Sequence, residues 1–349
     1  MRVVLVTTAA LLLAACGPPV SVSRVSPRTV TQELTQSALN SNTPSLFSRN
    51  VLHRWNLTET YRGDPETAIG RLHALAIDSR GGQDTLFALA ELSFAHGDET
   101  GRKDYYLEAA VAAWAFLFPG TGDEAPGEFD PRLRIATDLY NRGLTRALAS
   151  ADDTQVELRS GLYDLPFGQQ VQVELDPGAL RWADRDLIDF VPVAELRVRG
   201  LQARHRRPGI GAPLAARAVT ANPEQKVADR LGPNARTPVT ALLRIEDARR
   251  QFPAPVLCAS LELYSDASQR TVAIDGREVP LEQEPSAALA WTLSESPTWG
   301  WVAWDSSSTI SCSRGCRRAS RSSSPSGPAA SRWCSSTGQP RAPTGGPTC

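Results

Sequence analysis

The chain has 349 residues, with 37 lysines and arginines against 38 aspartates and glutamates and a formal net charge of −1. This length supports about two domains with hydrophobic cores of their own. The balanced charge gives no general reason to expect a nucleic acid or an anionic membrane surface as a partner. We therefore predict no nucleic-acid partner, and no sequence motif indicates a cofactor.

The N-terminus carries the pattern of a bacterial lipoprotein signal. Arg2 supplies a positive charge, and an apolar run from Val3 to Leu13 follows it. Two small residues then precede a cysteine, which is typical of a lipoprotein signal because the thiol can be acylated before cleavage. The predicted lipobox comprises Leu13, Ala14, Ala15 and Cys16. An ordinary signal peptide or a buried hydrophobic helix is the alternative, and the run is too short to span a bilayer.

Lipidation of Cys16 predicts where the protein is located. Residues 1–15 are then a signal peptide, and the lipid alone attaches the mature chain to a membrane, because no later apolar stretch is long enough to span one. Gly17 and Pro18 follow the cysteine, without an acidic residue that would favour inner-membrane retention. We expect a lipid-anchored protein of the bacterial cell envelope, in the outer membrane and facing the periplasm, with an envelope protein as a candidate partner.

Residues 16–63 are predicted to form a tether that leads into the first packed element. Ser, Thr, Pro and Asn dominate from Ser21 to about Ser45, with a short helix favoured from Thr29 to Leu39. Over residues 64–150 the apolar residues recur with helical periodicity, which predicts a helical domain. Its apolar stripes are Ile69, Leu72, Leu75 and Ala76, then Leu86, Leu89, Ala90 and Ser93, and then Tyr106, Ala109, Ala110, Ala113, Trp114 and Leu117.

Proline and glycine predict the ends of these helices. Pro65 suits a first helical turn, Gly97 is expected to break the second helix, and Pro119-Gly120 to stop the third, with a further helix from Asp130 to Leu148. The pair around residues 85–118 looks like a tetratricopeptide-type hairpin. An ordinary helical bundle is the alternative, because a solenoid needs several such pairs to bury a continuous core.

After Ser150 the apolar period changes to two, which predicts a β-rich domain over residues 151–299. The predicted strands include the alternating residues Val171, Val173 and Leu175 and the segments Val193 to Val198 and Leu261 to Leu263. Val272 to Val279 is predicted to form a hairpin, because Asp-Gly supplies the positive φ angles of a two-residue turn. The predicted fold class is α+β, with an N-terminal helical bundle, a β-rich region and a disordered C-terminal tail.

The familiar motifs of catalysis and metal binding do not occur. The sequence has no Gly-x-Ser-x-Gly elbow, no His-Glu-x-x-His and no paired Cys-x-x-Cys. His73 and His96 fall in predicted helices, where packing or solvent exposure is the default explanation. An unconventional enzyme using His53 or His205 is a minor alternative, because no nucleophile is near either in sequence. We assign no catalytic, cofactor-binding or metal-binding residue.

Three weaker features have structural explanations. Gly209-Ile210-Gly211 resembles part of a phosphate loop, but it follows no predicted strand and opens no helix, so we interpret it as a turn. Cys258 lies in an apolar run, which favours a packed small side chain. A basic stretch can contact anions, although alternation places some of its members on a solvated strand face; its arginines are Arg197, Arg199, Arg204, Arg206 and Arg207.

The last segment, residues 300–349, has an unusual composition. After Asp305 it contains no Asp, Glu, Lys, Val, Leu, Phe or Tyr, while Ser, Arg, Pro, Gly, Cys and Thr fill it. Such a segment buries too little apolar surface to offset the entropy of ordering its backbone, so disorder is predicted. The segment also holds Cys312, Cys316, Cys334 and Cys349. The composition matches GC-rich coding DNA translated in a shifted frame.

The genetic code determines which peptides the shifted reading frame would permit. If serine uses its TC codons and arginine its CG codons, a one-position shift across Ala330 to Gly338 permits the peptide Ile-Pro-Val-Val-Phe-Val-His-Gly. The apolar run is then nearly forced, whereas the His is one of four permitted residues. An apolar strand followed by His-Gly is similar to the oxyanion-hole turn of the α/β-hydrolases. Together with the lipobox and the segment Arg207 to Leu214, it resembles lipid-anchored bacterial esterase/lipase-like proteins, in which a long N-terminal extension precedes the hydrolase core.

The resemblance implies the non-catalytic N-terminal part of such a hydrolase, with the family's serine, acid and histidine falling beyond Cys349. The resembled family consists of serine hydrolases, and we expect this chain itself to be inactive. The alternative is a complete envelope binding or scaffold lipoprotein that uses a helical-repeat-like surface.

Overall fold

A computed structural model describes residues 22–80, 82–120, 122–182, 185–220, 235–265 and 268–295. The predicted signal peptide and the predicted disordered tail therefore lie outside the described residues. Within them, no helix is long and apolar enough to cross a membrane. The helices are α1 Pro27–Thr35, α2 Leu46–Arg54, α3 Thr58–Gly63, α4 Pro65–Ile77, α5 Gly82–Thr100, α6 Lys103–Leu117, α7 Arg132–Ala147, α8 Ala248–Gln251 and α9 Pro285–Ser294.

The strands form a seven-stranded mixed sheet and a separate hairpin. The bounds are β1 Gly161–Asp164, β2 Gln170–Leu175, β3 Arg181–Trp182, β4 Arg185–Pro192, β5 Ala212–Thr220, β6 Arg236–Arg244, β7 Val256–Tyr264, β8 Thr271–Ile274 and β9 Arg277–Pro280. The sheet order is β1-β2-β7-β6-β5-β4-β3, in which β2 and β7 pair in parallel and the other neighbours are antiparallel. The fold class is α+β, as predicted.

Helices α5 and α6 form an antiparallel pair at the centre of the helical region. The ring of Phe87 lies 5.5 Å from that of Phe116, and the ring of Phe94 lies 5.4 Å from that of Tyr106. Every residue of α6 from Tyr105 to Leu117 is buried. Packed helices begin at Leu46, because Val51 and Leu52 of α2 enter the same core.

The prediction that Gly97 breaks the second helix is wrong. Helix α5 continues through Gly97 to Thr100, and the chain turns instead at Gly101, whose φ is +72°. A Cβ atom at Gly97 would come within 3.1 Å of the ring of Tyr106. This glycine makes room for a neighbouring aromatic side chain, so its role is in packing, and the helical hydrogen bonds tolerate it.

Buried polar side chains tie the helices to the sheet. The indole Nε1 of Trp114 donates to the carbonyl of Ile245 at 2.9 Å. The hydroxyl of Tyr140 donates to the carbonyl of Leu243 and accepts from the amide of Leu243, at 2.8 and 2.7 Å. These bonds satisfy polar groups within one continuous hydrophobic core that includes α2, α4–α7 and strands β2 and β4–β8.

Several of the predicted strands are confirmed, and one is wrong. Val171, Val173 and Leu175 point into the core from β2, and Leu261 to Leu263 lie in β7, as predicted. The hairpin of β8 and β9 is also confirmed, with φ of 48° at Asp275 and 72° at Gly276. Val193 to Val198 do not form a strand, because β4 ends at Pro192 and the chain turns after Val193.

Candidate functional site

Leu13, Ala14, Ala15 and Cys16 lie outside the described residues, as do the four cysteines of the tail. The candidate sites below are therefore built from the described part of the chain.

His73 and Glu108 form a buried pair between α4 and α6. The Nδ1 atom of His73 lies 2.7 Å from a carboxylate oxygen of Glu108, and both side chains are almost inaccessible to solvent. The rings of Phe167 and Phe252 lie 5.3 and 5.8 Å from the imidazole. Among the described residues, the Nε2 atom of His73 and the second oxygen of Glu108 have no hydrogen-bond partner. The pair resembles the base and orienting acid of a triad, but the aromatic rings cover it and no hydroxyl or thiol bonds to it among the described side chains.

The other histidines also fit structural explanations. His96 is buried in α5, with its ring 4.5 Å from that of Tyr105, so the expectation of packing holds for both helical histidines. His53 is exposed near the end of α2. His205 is exposed, and its backbone amide donates to the hydroxyl of Ser286 at 2.6 Å. Within the described ranges, no three His, Cys, Asp or Glu side chains are grouped to hold a metal ion.

The segment Gly209-Ile210-Gly211 is a tightly enclosed irregular stretch before β5, in which Ile210 forms an isolated β-bridge with Leu281. A Cβ atom at Gly209 would lie 2.2 Å from the carbonyl oxygen of Pro280, and Gly211 has a φ of +105°. Asn141 bridges the segment, since its side chain donates to the carbonyl of Gly209 and accepts from the amide of Gly211. Close backbone packing explains these glycines, whereas the sequence interpretation was a turn.

The basic stretch differs from its prediction. Arg204 pairs with the buried carboxylate of Glu284 at 2.9 Å, and Arg206 pairs with the buried carboxylate of Glu282 at 2.7 Å. These arginines lie in an irregular segment and not on a solvated strand face, because no strand forms between β4 and β5. Arg197 and Arg199 are exposed.

Cys258 is exposed, so its prediction as a packed residue is wrong. Successive side chains of a strand point to opposite faces, and β7 directs Leu257 and Ala259 into the core. The register therefore leaves Cys258 on the outer face, although its neighbours in sequence are apolar.

A buried carboxylate fixes the N-terminal segment to the helices. Glu91 of α5 is fully buried and accepts hydrogen bonds from the amides of Ala38 and Ser45, each at 2.9 Å. The hydroxyls of Ser45 and Ser48 also donate to it. We name residues 37–48 the docking segment. Before it, no residue of α1 is buried.

A cavity of about 390 Å³ carries an unusual concentration of positive charge. It lies where the end of α4, the start of α5 and the short helix α8 meet. Three arginines and one aspartate line it, together with small and apolar residues. The charged residues are Arg80, Arg249, Arg250 and Asp123. Sequence analysis missed this cavity because Arg80 is far along the chain from the other two arginines, and no motif links them.

Comparison with known protein families, with curated proteins and with solved structures finds no match for this chain. Function must therefore be argued from its own residues.

Proposed function

We propose that this protein is a lipid-anchored component of the bacterial cell envelope, attached through Cys16 to the outer membrane and facing the periplasm. The observation that supports the anchor is the change in packing along the N-terminal segment. Helix α1 makes no buried contact, whereas the docking segment is bound to Glu91 by four hydrogen bonds. Residues 22–36 include none that is buried, whereas the docking segment is bonded to α5, and this change suits a tether between a lipid and a folded body.

We propose further that this body is the non-catalytic N-terminal part of an α/β-hydrolase of the esterase/lipase-like kind. Its sheet is mostly antiparallel, with one parallel pair, so it differs from the parallel sheets of doubly wound α/β folds. This topology suits a separate module that precedes a hydrolase core. The His73–Glu108 pair is covered by aromatic rings, which does not favour activity in the described residues themselves.

The second candidate is a complete binding or scaffold lipoprotein with a helical-repeat-like surface. The antiparallel packing of α5 and α6 favours the comparison with a tetratricopeptide hairpin within a helical bundle. A repeat of that kind binds partners through exposed helix faces. Helix α6 is buried along most of its length, so we rank this candidate below the first.

The lipid anchor is tested by the variant Cys16→Ser. We expect it to lose fatty-acid labelling and to move from the membrane fraction to the soluble periplasmic fraction. Cys258→Ser is the matched control, because it removes an exposed thiol elsewhere and should keep both the label and the membrane location. Labelling that persists in Cys16→Ser would rule out this anchor.

The hydrolase relationship is tested separately from the anchor. The 349-residue chain should hydrolyse no short acyl ester above background and should not react with a serine-directed phosphonate. A gene corrected by one position between Trp299 and Asp305 should run through a strand ending in His-Gly and into a serine hydrolase core. An early stop in that frame, or activity of the short chain, would contradict the proposal.

A further inference from the structure

We propose that the cavity lined by Arg80, Arg249 and Arg250 binds a phosphate group of a small ligand. This inference depends on neither the lipid anchor nor the hydrolase relationship. It rests on the charges in the cavity, on the fixed orientation of Arg249 and on the position of α5.

The positive charges of the three cavity arginines are not fully compensated by neighbouring carboxylates in the described part of the chain. None of the three cavity arginines forms an ion pair with a carboxylate among the described residues. Many other arginines of the chain do so, including Arg54, Arg102, Arg132, Arg206 and Arg244. Asp123 is the acidic residue in the lining, so three positive charges against one negative charge leave a net charge of +2. A phosphate monoester carries about −2 near pH 7 and matches this charge.

The side chain of Arg249 is held in place by two hydrogen bonds to backbone carbonyls. Its Nε atom donates to the carbonyl of Ala115 at 3.1 Å, and its Nη1 atom donates to the carbonyl of Glu124 at 3.0 Å. The remaining Nη2 atom is buried and has no acceptor among the described residues. Burial lowers the pKa of Arg249, and the nearby carboxylates of Asp123 and Glu124 only partly oppose this effect. A bound oxyanion beside the guanidinium would supply the missing negative charge.

The position of Arg249 is itself fixed by close backbone packing. Asp247, two residues before Arg249, lies against Gly120. A Cβ atom at Gly120 would come within 2.7 Å of the Cα of Asp247. The amide of Arg249 also donates to the carbonyl of Pro119 at 3.3 Å. The guanidinium is therefore oriented before any ligand arrives, which reduces the entropy lost on binding.

The N-terminus of α5 and the size of the cavity also favour a phosphate ligand. Gly82, the first residue of this 19-residue helix, belongs to the lining, and a helix N-terminus carries a partial positive charge that favours phosphate. A volume of about 390 Å³ lies within the range of small-molecule sites. Leu86 and Phe252 supply an apolar wall for the rest of the ligand.

Two other cavities in the described part of the chain lack this combination. In a cavity of about 420 Å³, Lys103 is occupied by two backbone carbonyls, and Arg159 pairs with Glu157. A cavity of about 560 Å³ beside the β8–β9 hairpin has a mostly apolar lining, and its Arg134 pairs with Asp138. Neither lining groups several arginines that lack a carboxylate partner among the described residues.

The experiment measures binding to the purified full-length chain by calorimetry at low salt. The probes are inorganic phosphate, dihexanoyl phosphatidic acid as a soluble lipid headgroup, and sodium acetate. We expect saturable binding of at least one phosphate probe and weaker binding of acetate. Tighter binding of dihexanoyl phosphatidic acid would identify a lipid headgroup as the source of the phosphate, and tighter binding of inorganic phosphate would identify a soluble ligand.

The key variant is the double substitution Arg80→Gln and Arg250→Gln, because both side chains are exposed and neither supports the backbone. It should weaken phosphate binding by about tenfold or more. The matched control removes two exposed arginines elsewhere, Arg28→Gln and Arg49→Gln, and should leave binding unchanged. Arg249→Gln should abolish binding, with folding verified by circular dichroism. Absence of saturable phosphate binding, equal binding of acetate, or an equal loss in the control pair would overturn the proposal.

Discussion

The helical region and the sheet region both use buried carboxylates to hold an irregular segment, but the donors differ. In the helical region, Glu91 binds the docking segment through backbone amides and serine hydroxyls, and no cation pairs with it in the described chain. In the sheet region, Glu282 and Glu284 bind the segment before β5 largely through Arg206 and Arg204. The amide of Gly209 adds one neutral donor to Glu282 at 2.7 Å.

This difference determines what each region loses when a carboxylate is removed. The donors around Glu91 are mostly buried and have no access to water, so removing their acceptor leaves them unsatisfied. The side chains of Arg204 and Arg206 are 42% and 35% exposed, so they regain hydration when their partner is lost. We therefore expect the removal of a buried carboxylate to lower the free energy of unfolding more in the helical region than in the sheet region.

The largest effect is expected for Glu91→Ala. It should lower the free energy of unfolding by about 3 kcal/mol, because several buried donors lose one shared acceptor. Urea denaturation followed by circular dichroism measures this change, and hydrogen exchange should increase in residues 37–48. Glu99→Ala on the same helix is the matched control, since Glu99 is exposed and its loss should cost less than about 0.5 kcal/mol. Similar costs for the two variants would show that Glu91 does not hold the docking segment.

A smaller effect is expected for Glu282→Ala in the sheet region. We expect a loss of about 2 kcal/mol, because the amide of Gly209 is left buried while Arg206 returns to water. The same urea experiment applies, with the exposed Glu278→Ala as control. A loss larger than that of Glu91→Ala would contradict the comparison between neutral and cationic donors.

Local sequence patterns predicted the elements whose stability is decided locally. The apolar stripe of Ile69 and Leu72, the alternation of Val171 and Val173, and the Asp275-Gly276 turn all appear in the structure as expected. Each depends on periodicity or on the φ preferences of two residues, which a single sequence contains.

Features decided by distant partners were not predictable in this way. Gly97 lies inside α5 and leaves room for Tyr106, and Cys258 is exposed because the register of β7 directs its neighbours inward. The phosphate-binding proposal likewise depends on Arg80 and Arg249 lining one cavity, although they are far apart in the sequence. Periodicity identifies a buried face but does not say which residues of another element lie opposite it.

The smallest effect is expected for a substitution of Arg132, which binds Asp130, a carboxylate with more solvent access just before α7. Arg132 donates through Nε and Nη2 to Asp130, and through Nη1 to Asp84 at 2.6 Å. The hydrogen bonds from Arg132 lower the pKa of Asp130 below its ordinary value, although partial burial opposes this shift. Ionised Asp130 therefore stabilises the fold above the aspartate pKa of the unfolded chain, and this stabilisation is lost as the pH falls below about 4.

Arg132→Gln should thus lower the free energy of unfolding by about 1 kcal/mol at neutral pH. It should also make stability less dependent on pH below about 4, because the shift at Asp130 is reduced. The control is Arg134→Gln on the same helix, whose partner Asp138 forms an exposed pair worth only a few tenths of a kcal/mol. Urea denaturation at several pH values distinguishes the two variants. If both show the same acid dependence as the parent chain, Arg132 does not stabilise the ionised form of Asp130, and solvent screening already removes the effect at this degree of exposure.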